Sequence, residues 1–284
     1  MHTEKTKTTM VIEAPLASIW YHLTTASGMN DYLTDRVNMS TAFLESGTVV
    51  HIVIGDMLNE AVCTQIEPMR SVTFHDHFKS LLADDSYLSY QVTTTFLIEP
   101  VEEPDFSRDS SSMYAVSAIV EGYESDDELL QWIRECADFG WKQSLFNLKT
   151  RLELGLDLRQ AIFGYPRLGI CNYTATSQQL RAHFLDPNHV QGNWVMEVFP
   201  DGPASLAGLQ KGDIIVALDQ HKVPTYAHFV KELSRSYGKK DTVDIQYVRR
   251  GTEYETTARL SYHALLTGLV EPTDARVNDI RTRE

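Results

Sequence analysis

Residues 195–216, VMEVFPDGPASLAGLQKGDIIV, constrain this chain more than any other stretch. Val195, Glu197 and Phe199 alternate with Met196 and Val198 as a strand does, and Pro200 to Pro203 break the pattern with turn residues. Ala204 to Leu209 supply small residues and two leucines for one helical turn, and Gly208 and Gly212 stand where positive φ or close backbone approach is expected. Asp213 is expected to face solvent or cap a loop amide before a second strand opens. Downstream, residues 225–236 read as an amphipathic helix, with Phe229 and Leu233 on one face, Val230 beside them and Gly238 as the stop. Residues 241–249 and 253–260 alternate around Arg250-Gly251 as a closing hairpin.

Pro203-Ala204, Ala207-Gly208-Leu209 and Gly212-Asp213-x-Ile215 follow one another in the order and spacing of a PDZ domain. The chain resembles that family, in its bacterial protease-associated form, over about residues 164–262. The resemblance implies a β-barrel with two helices and a groove for the C-terminal peptide of a partner protein. Arg167-Leu168-Gly169-Ile170 is similar to the family's carboxylate-binding loop, in which backbone N–H groups converge on the chain end and a glycine lets the backbone turn toward it. Charge-assisted hydrogen bonds of about 1.5–3 kcal/mol each would orient that end, and side-chain pockets would select it. Leu168 and Ile170 would line the terminal pocket; plain barrel core is the other reading, and for Ile170 the two stay open. Tyr226 and Val230 are the groove-facing positions of the helix. Many members carry histidine where Tyr226 stands, so their preference for Ser or Thr near the peptide end does not carry over. His228 points elsewhere on this register, as a surface histidine.

Such PDZ domains often follow a trypsin-like protease. The chain has neither Gly-x-Ser-x-Gly nor Gly-Asn-Ser-Gly-Gly around a nucleophile, which argues against proteolysis. Through Gln160, 11 Lys and Arg face 25 Asp and Glu, and after it 14 face 14, so the whole net charge of -14 lies in the first part. That excess repels phosphate backbones and anionic lipid, and no partner of either kind is expected. The acidic groups around Glu102 and Glu124 read as solvated loops. Neither a signal-peptide core nor a membrane span is visible, and Cys63, Cys136 and Cys171 are odd in number without C-x-x-C spacing. The expectation is a soluble cytoplasmic protein with reduced thiols and no membrane insertion.

The first part opens with an alternating segment at residues 6–12, then Ala14-Pro15 and a short helix carrying Ile19, Trp20 and Leu23. Strands are expected at residues 48–54, 61–66, 71–78, 89–98 and 113–121. Ser125-Asp126-Asp127-Glu128 fits a capping box, and Leu129, Ile133, Ala137, Trp141, Leu145, Leu148 and Leu152 keep helical spacing to about Leu156. An antiparallel sheet must curl around that long helix to bury its stripe, an α+β layer of helix-grip type. Ala14-Pro15-x-x-x-Ile19-Trp20 and Gly140-Trp141-x-x-x-Leu145-x-x-Leu148-Lys149-x-x-Leu152-Glu153 resemble the START-like bacterial relatives of the Hsp90 ATPase activator domain, with Tyr32 departing from a frequent tryptophan. The expected domains are 1–159, 160–263 and a C-terminal extension at 264–284.

The superfold implied by that likeness keeps a cavity between helix and sheet, and its candidate lining here is Tyr32, Phe43, His51, Phe74, Phe96 and Trp141, each more readily explained as core. His75 and His77 share a strand face, opposite Val72, Phe74 and Phe78, and are expected in solvent rather than on a metal. Neither a catalytic constellation nor a cofactor motif stands out. Two readings follow: an adaptor whose groove captures a C-terminus while the first domain holds an apolar small molecule or a partner protein, a chaperone among the candidates, or an enzyme such as a cyclase or hydrolase on a hydrophobic substrate, recruited by the PDZ-like domain. The missing constellation favours the adaptor. The charged end Arg281-Thr282-Arg283-Glu284 suits an apolar pocket poorly, so self-capture of the tail is not expected.

Overall fold

The computed structural model describes residues 5–33, 36–54, 57–81, 87–101, 113–123, 128–163 and 166–261. The capping box before Glu128, the acidic segment 102–112 and the extension 264–284 lie outside them.

The first unit runs β1 (Thr6–Glu13), α1 (Leu16–Thr24), α2 (Ala26–Asn30), β2 (Arg36–Met39), β3 (Val49–Ile54), β4 (Met57–Glu67), β5 (Ser71–Leu81), β6 (Tyr87–Pro100), β7 (Met113–Glu121) and α3 (Glu128–Leu154). Its strands form one antiparallel sheet ordered β1-β7-β6-β5-β4-β3-β2, so the first strand closes against the last. At about 100° per residue, Ile133, Ala137, Trp141, Leu145 and Leu148 fall on one side of α3. Ile133 packs with Val92, Val120 and Tyr123, while Leu145 and Leu148 meet Ile12, Val72, Phe74 and Phe96. This is the expected helix-grip architecture, with one long helix held in a curled sheet.

The described part of the connection is folded: α4 (Arg159–Phe163) lies in it, and the expected boundary at 159/160 falls in its first turn. Arg159 pairs with Asp157 and also donates to the Asn30 carbonyl, Gln143 donates to the Ile162 carbonyl at 3.0 Å, and Asn147 accepts from the Leu158 N–H at 3.1 Å.

The second unit runs β8 (Ile170–Thr174), α5 (Ser177–Ala182), β9 (Asn193–Val198), α6 (Pro203–Leu206), β10 (Ile214–Leu218), β11 (His221–Lys222), α7 (Tyr226–Arg235), β12 (Thr242–Arg249) and β13 (Thr252–Arg259). The sheet is ordered β13-β12-β10-β9-β8, with β11 paired to β10, so β8 is an edge strand. Thr225 caps α7 by accepting from the His228 N–H, and Arg250 and Gly251 both have positive φ in the turn of the β12–β13 hairpin. The sequence reading passed over α5, although Thr176 and Gln179 form a reciprocal capping box around its start. Of the two alternatives expected for Asp213, the loop-amide cap is the one observed. Asp213 caps the Gln210 N–H at 2.8 Å, yet it is 1% exposed and its two oxygens take Nε and Nη2 of Arg249 at 2.7 and 2.8 Å. A carboxylate this buried persists because a guanidinium fork satisfies both oxygens.

Candidate functional site

The edge position of β8 leaves one row of its backbone groups facing away from the sheet. Before it the chain turns through Gly169, whose φ of 71° lies where an L side chain is strained. The Leu168 carbonyl accepts from the Ala204 N–H at 2.8 Å, and the Gly169 carbonyl from the Phe199 N–H at 3.0 Å. Among the described residues no peptide bond is cis. In a trans peptide the N–H points opposite to the carbonyl, so the Gly169 and Ile170 N–H groups turn away from α6 and β9, toward the open edge. Arg167 does not share this orientation: its N–H donates to the Ser261 carbonyl at 2.7 Å and its carbonyl accepts from the Ser261 N–H at 3.3 Å.

Leu168 and Val230 are buried in the core of the second unit, with Ile170 and Tyr226 half-buried against it. The Thr174 hydroxyl accepts from the Tyr226 N–H at 3.0 Å, tying the end of β8 to the first residue of α7. Of the four expected groove side chains, Leu168 and Val230 are thus core in the strip between β8 and α7, Ile170 and Tyr226 reach partway to its surface, and Gly169 stands just before β8.

α3 lies along this same strip. Glu128 accepts from the Tyr173 hydroxyl and from Gln179 Nε2, both at 3.1 Å, and Trp132 packs against the cluster of Cys171 and Tyr173. Glu135 accepts from the Thr174 N–H at 3.0 Å and from its hydroxyl at 2.8 Å. The Cys136 thiol is hydrogen-bonded to Tyr226; burial pushes it up to about 12, against the opposing pull of that bond and of the Arg167 charge. The Phe139 ring meets the Tyr226 ring edge-on, centroids 6.1 Å apart, and packs against the core that holds Leu168 and Val230. In the sequence Glu128 reads as part of a capping box and Cys136 as a reduced thiol, and none of the five marks a contact with the second unit. Spaced i, i+4, i+7, i+8 and i+11, they form a second helix face opposite the one in the sheet.

The first unit holds a cavity of about 40 Å³ between sheet and helix. Four expected residues line it: Tyr32, Phe74, Phe96 and Trp141. Phe43 does not, being 80% exposed ahead of β3. Nor does His51: Val50 and Ile52 on either side of it face the cavity, so strand alternation turns His51 outward, 3.5 Å from Glu60. By the same alternation Phe74, Asp76 and Phe78 all point inward. Asp76 carries no polar or metal-site pattern of its own in the sequence, although its place between Phe74 and Phe78 on the strand gives its direction.

Asp76 is 3% exposed, and burial raises its carboxyl to about 6, with Asn59, Thr94 and His75 pulling the other way. Asn59 Nδ2 donates to Asp76 Oδ1 at 2.8 Å. Asp76 Oδ2, Asn59 Oδ1 and Tyr32 Oη are buried with no hydrogen-bond partner, and burial raises the Tyr32 phenol as well. The space suits a few water-sized groups, far below the roughly 300–1,000 Å³ of sites for drug-sized ligands. His77 instead faces Ser89, its Nε2 2.6 Å from the hydroxyl, and no group of three or more metal-ligating side chains occurs among the described residues.

Residues 166–260 match the family model of the PDZ domain, so the second unit is a PDZ domain. Serine protease HTRA1 of Xenopus laevis is 36% identical over 67 residues, 24% of this chain and 14% of that protein. A probable periplasmic serine endoprotease, DegP-like, of Pseudomonas fluorescens is 30% identical over 95 residues, 34% of this chain and 19% of that protein. The chain therefore spans less than a fifth of the length of these relatives. Among solved structures, the Aha1 dimer from Colwellia psychrerythraea is 18% identical with a TM-score of 0.40, covering 54% of this chain and 98% of its own. The HtrA3 PDZ domain bound to a phage-derived ligand is 20% identical with a TM-score of 0.27, covering 34% of this chain and 85% of its own. No helix among the described residues is long and apolar enough to cross a membrane.

Proposed function

We propose that the protein is a non-catalytic adaptor whose PDZ domain captures the C-terminus of another protein. The observation that supports this most is the turn at Gly169, which aims the Gly169 and Ile170 N–H groups at the open edge of β8, where an added strand would end in a carboxylate. Two amides on one anion give charge-assisted hydrogen bonds, the edge supplies main-chain pairing, and Leu168, Ile170 and Val230 offer an apolar seat for the last side chain. In a library of C-terminal peptides we expect selection for an apolar last residue, and a loss of at least tenfold on amidation or on Gly169→Val. Equal binding of free and amidated peptides would remove the mechanism. The three free cysteines, two of them buried, fit a reducing compartment, although the names of some relatives carry the periplasm.

A second role belongs to the first unit. The unpartnered oxygens of Asp76, Asn59 and Tyr32, in a mostly apolar cavity that Thr94 also lines, favour a compact ligand with an apolar body and a hydrogen-bonding group, over a bulky lipid. This is a binding role or, in the alternative reading, an enzyme's substrate site recruited by the PDZ domain. Native mass spectrometry of the purified chain tests for such a passenger, and Asp76→Asn should lower its occupancy. Turnover of a hydrophobic substrate lost in Asp76→Asn would favour the enzyme.

A further inference from the structure

We infer that the peptide groove of the PDZ domain already has an occupant: helix α3 of this chain's own first unit. The inference rests on the peptide-capture reading of that groove and adds what controls it.

Alternation along β8 decides which of its amides an incoming strand would need. The Ala175 N–H donates to the Gly192 carbonyl, toward β9, so the Thr174 N–H one residue earlier points to the free edge. That amide is bonded to Glu135 at 3.0 Å. At the apolar side of the strip, Phe139 packs on the core of Leu168 and Val230 and against the Tyr226 ring, and Val230 is only 1% exposed. Between these two, Cys136 reaches both Tyr226 and the field of Arg167, the residue that opens the carboxylate loop. A carboxylate, a thiol and an aromatic ring from successive turns of one helix thus take the places that an added strand and its side chains would fill.

Two features make this a built arrangement. The residues that face the PDZ domain, Glu128, Trp132, Glu135, Cys136 and Phe139, form a stripe opposite the one buried in the sheet, so α3 serves two cores at once. The connection is also bound down: Arg159, Asn147 and Gln143 hold residues 157–162 against the first unit. A short connection, held down over residues 157–162, keeps the local concentration of α3 at the groove high, and a peptide in solution must compete with it. A peptide pairing along β8 and α3 on the same edge exclude each other, so capture requires the two units to part. Whatever loosens α3 from the PDZ domain raises affinity for the peptide, and peptide binding in turn loosens α3.

The test uses the whole chain and a Glu135→Ala/Phe139→Ala variant, which removes the occupying groups from the face of α3 that points away from its own sheet. Amide hydrogen exchange is read first without peptide. Residues 170–174 should exchange at least tenfold faster in the variant, with residues 242–249 unchanged as the internal control. Glu135→Gln keeps an acceptor and should behave as the parent. A fluorescein-labelled hexapeptide ending in valine with a free carboxylate is then titrated, and the double variant should bind it at least tenfold more tightly. Unchanged exchange in β8, or equal peptide affinity for both proteins, overturns the inference. Faster exchange with peptide bound by neither protein upholds the occupancy by α3 and sinks the peptide-capture reading instead.

Discussion

Asn59 donates to Asp76 at 2.8 Å inside the first unit, and both side chains are 3% exposed. Hydrogen bonds from Asn59 and Thr94 do not replace the hydration a carboxylate loses, so the carboxyl is raised from 3.8 to about 6.

A proton held more tightly by the folded than by the unfolded chain sets the sign of a pH dependence. The folded state binds more protons between about pH 4 and 6, so this group's contribution is fully present below that window and is lost as pH rises through it. A shift of this size corresponds to about 3 kcal/mol. Asp76→Asn should therefore be more stable than the parent at pH 7.5, and the difference should shrink toward pH 4. Urea unfolding of both proteins across this range measures it; a difference independent of pH would mean that Asp76 is not held this way.

The Tyr32 hydroxyl is buried without a partner, which costs about 1–3 kcal/mol for a polar group of its kind. Tyr32→Phe should leave stability unchanged or raise it, by thermal melt. A loss above about 1 kcal/mol would show that the hydroxyl is satisfied in solution, by water or by a ligand that travels with the protein.

Arg249 and Asp213 join the β12–β13 hairpin to the loop that follows α6, and Arg249 also donates to the Gly208 carbonyl at 2.9 Å. Arg249→Ala leaves a carboxylate buried and unpaired, and should cost about 3–5 kcal/mol. Arg249→Lys keeps a charge but not the fork, and should recover only part of that loss. Chemical denaturation separates the two; equal stability of Arg249→Ala and the parent would contradict the structure of this corner.

Where local patterns were strong, the sequence revealed the fold. The spacing of Pro203, Gly208 and Gly212 located the PDZ domain, and the stripe from Ile133 to Leu148 foretold the helix gripped by a sheet. Residues 225–236 marked α7 within its two caps. Side-chain direction was the weaker link. Phe43 was expected inward by size, but it lies ahead of β3 rather than within a strand whose alternation would turn it in. Asp76 was overlooked because a charged residue between aromatics looks like surface until alternation is applied strictly. The contact of Glu135, Cys136 and Phe139 with the second unit was invisible for a different reason. A polar residue, a thiol and one phenylalanine on the outer face of an amphipathic helix carry no signal of their own, and only the second unit, brought close by a folded connection, gives that face its meaning.

The most direct test of carboxylate capture is the amide spectrum of isotope-labelled full-length protein titrated with the valine-ending hexapeptide and with its C-terminal amide. Capture by the loop predicts that the Gly169 and Ile170 N–H resonances move downfield with the free acid and stay in place with the amide. Equal shifts with both peptides, or binding that leaves these two resonances unmoved, would contradict it.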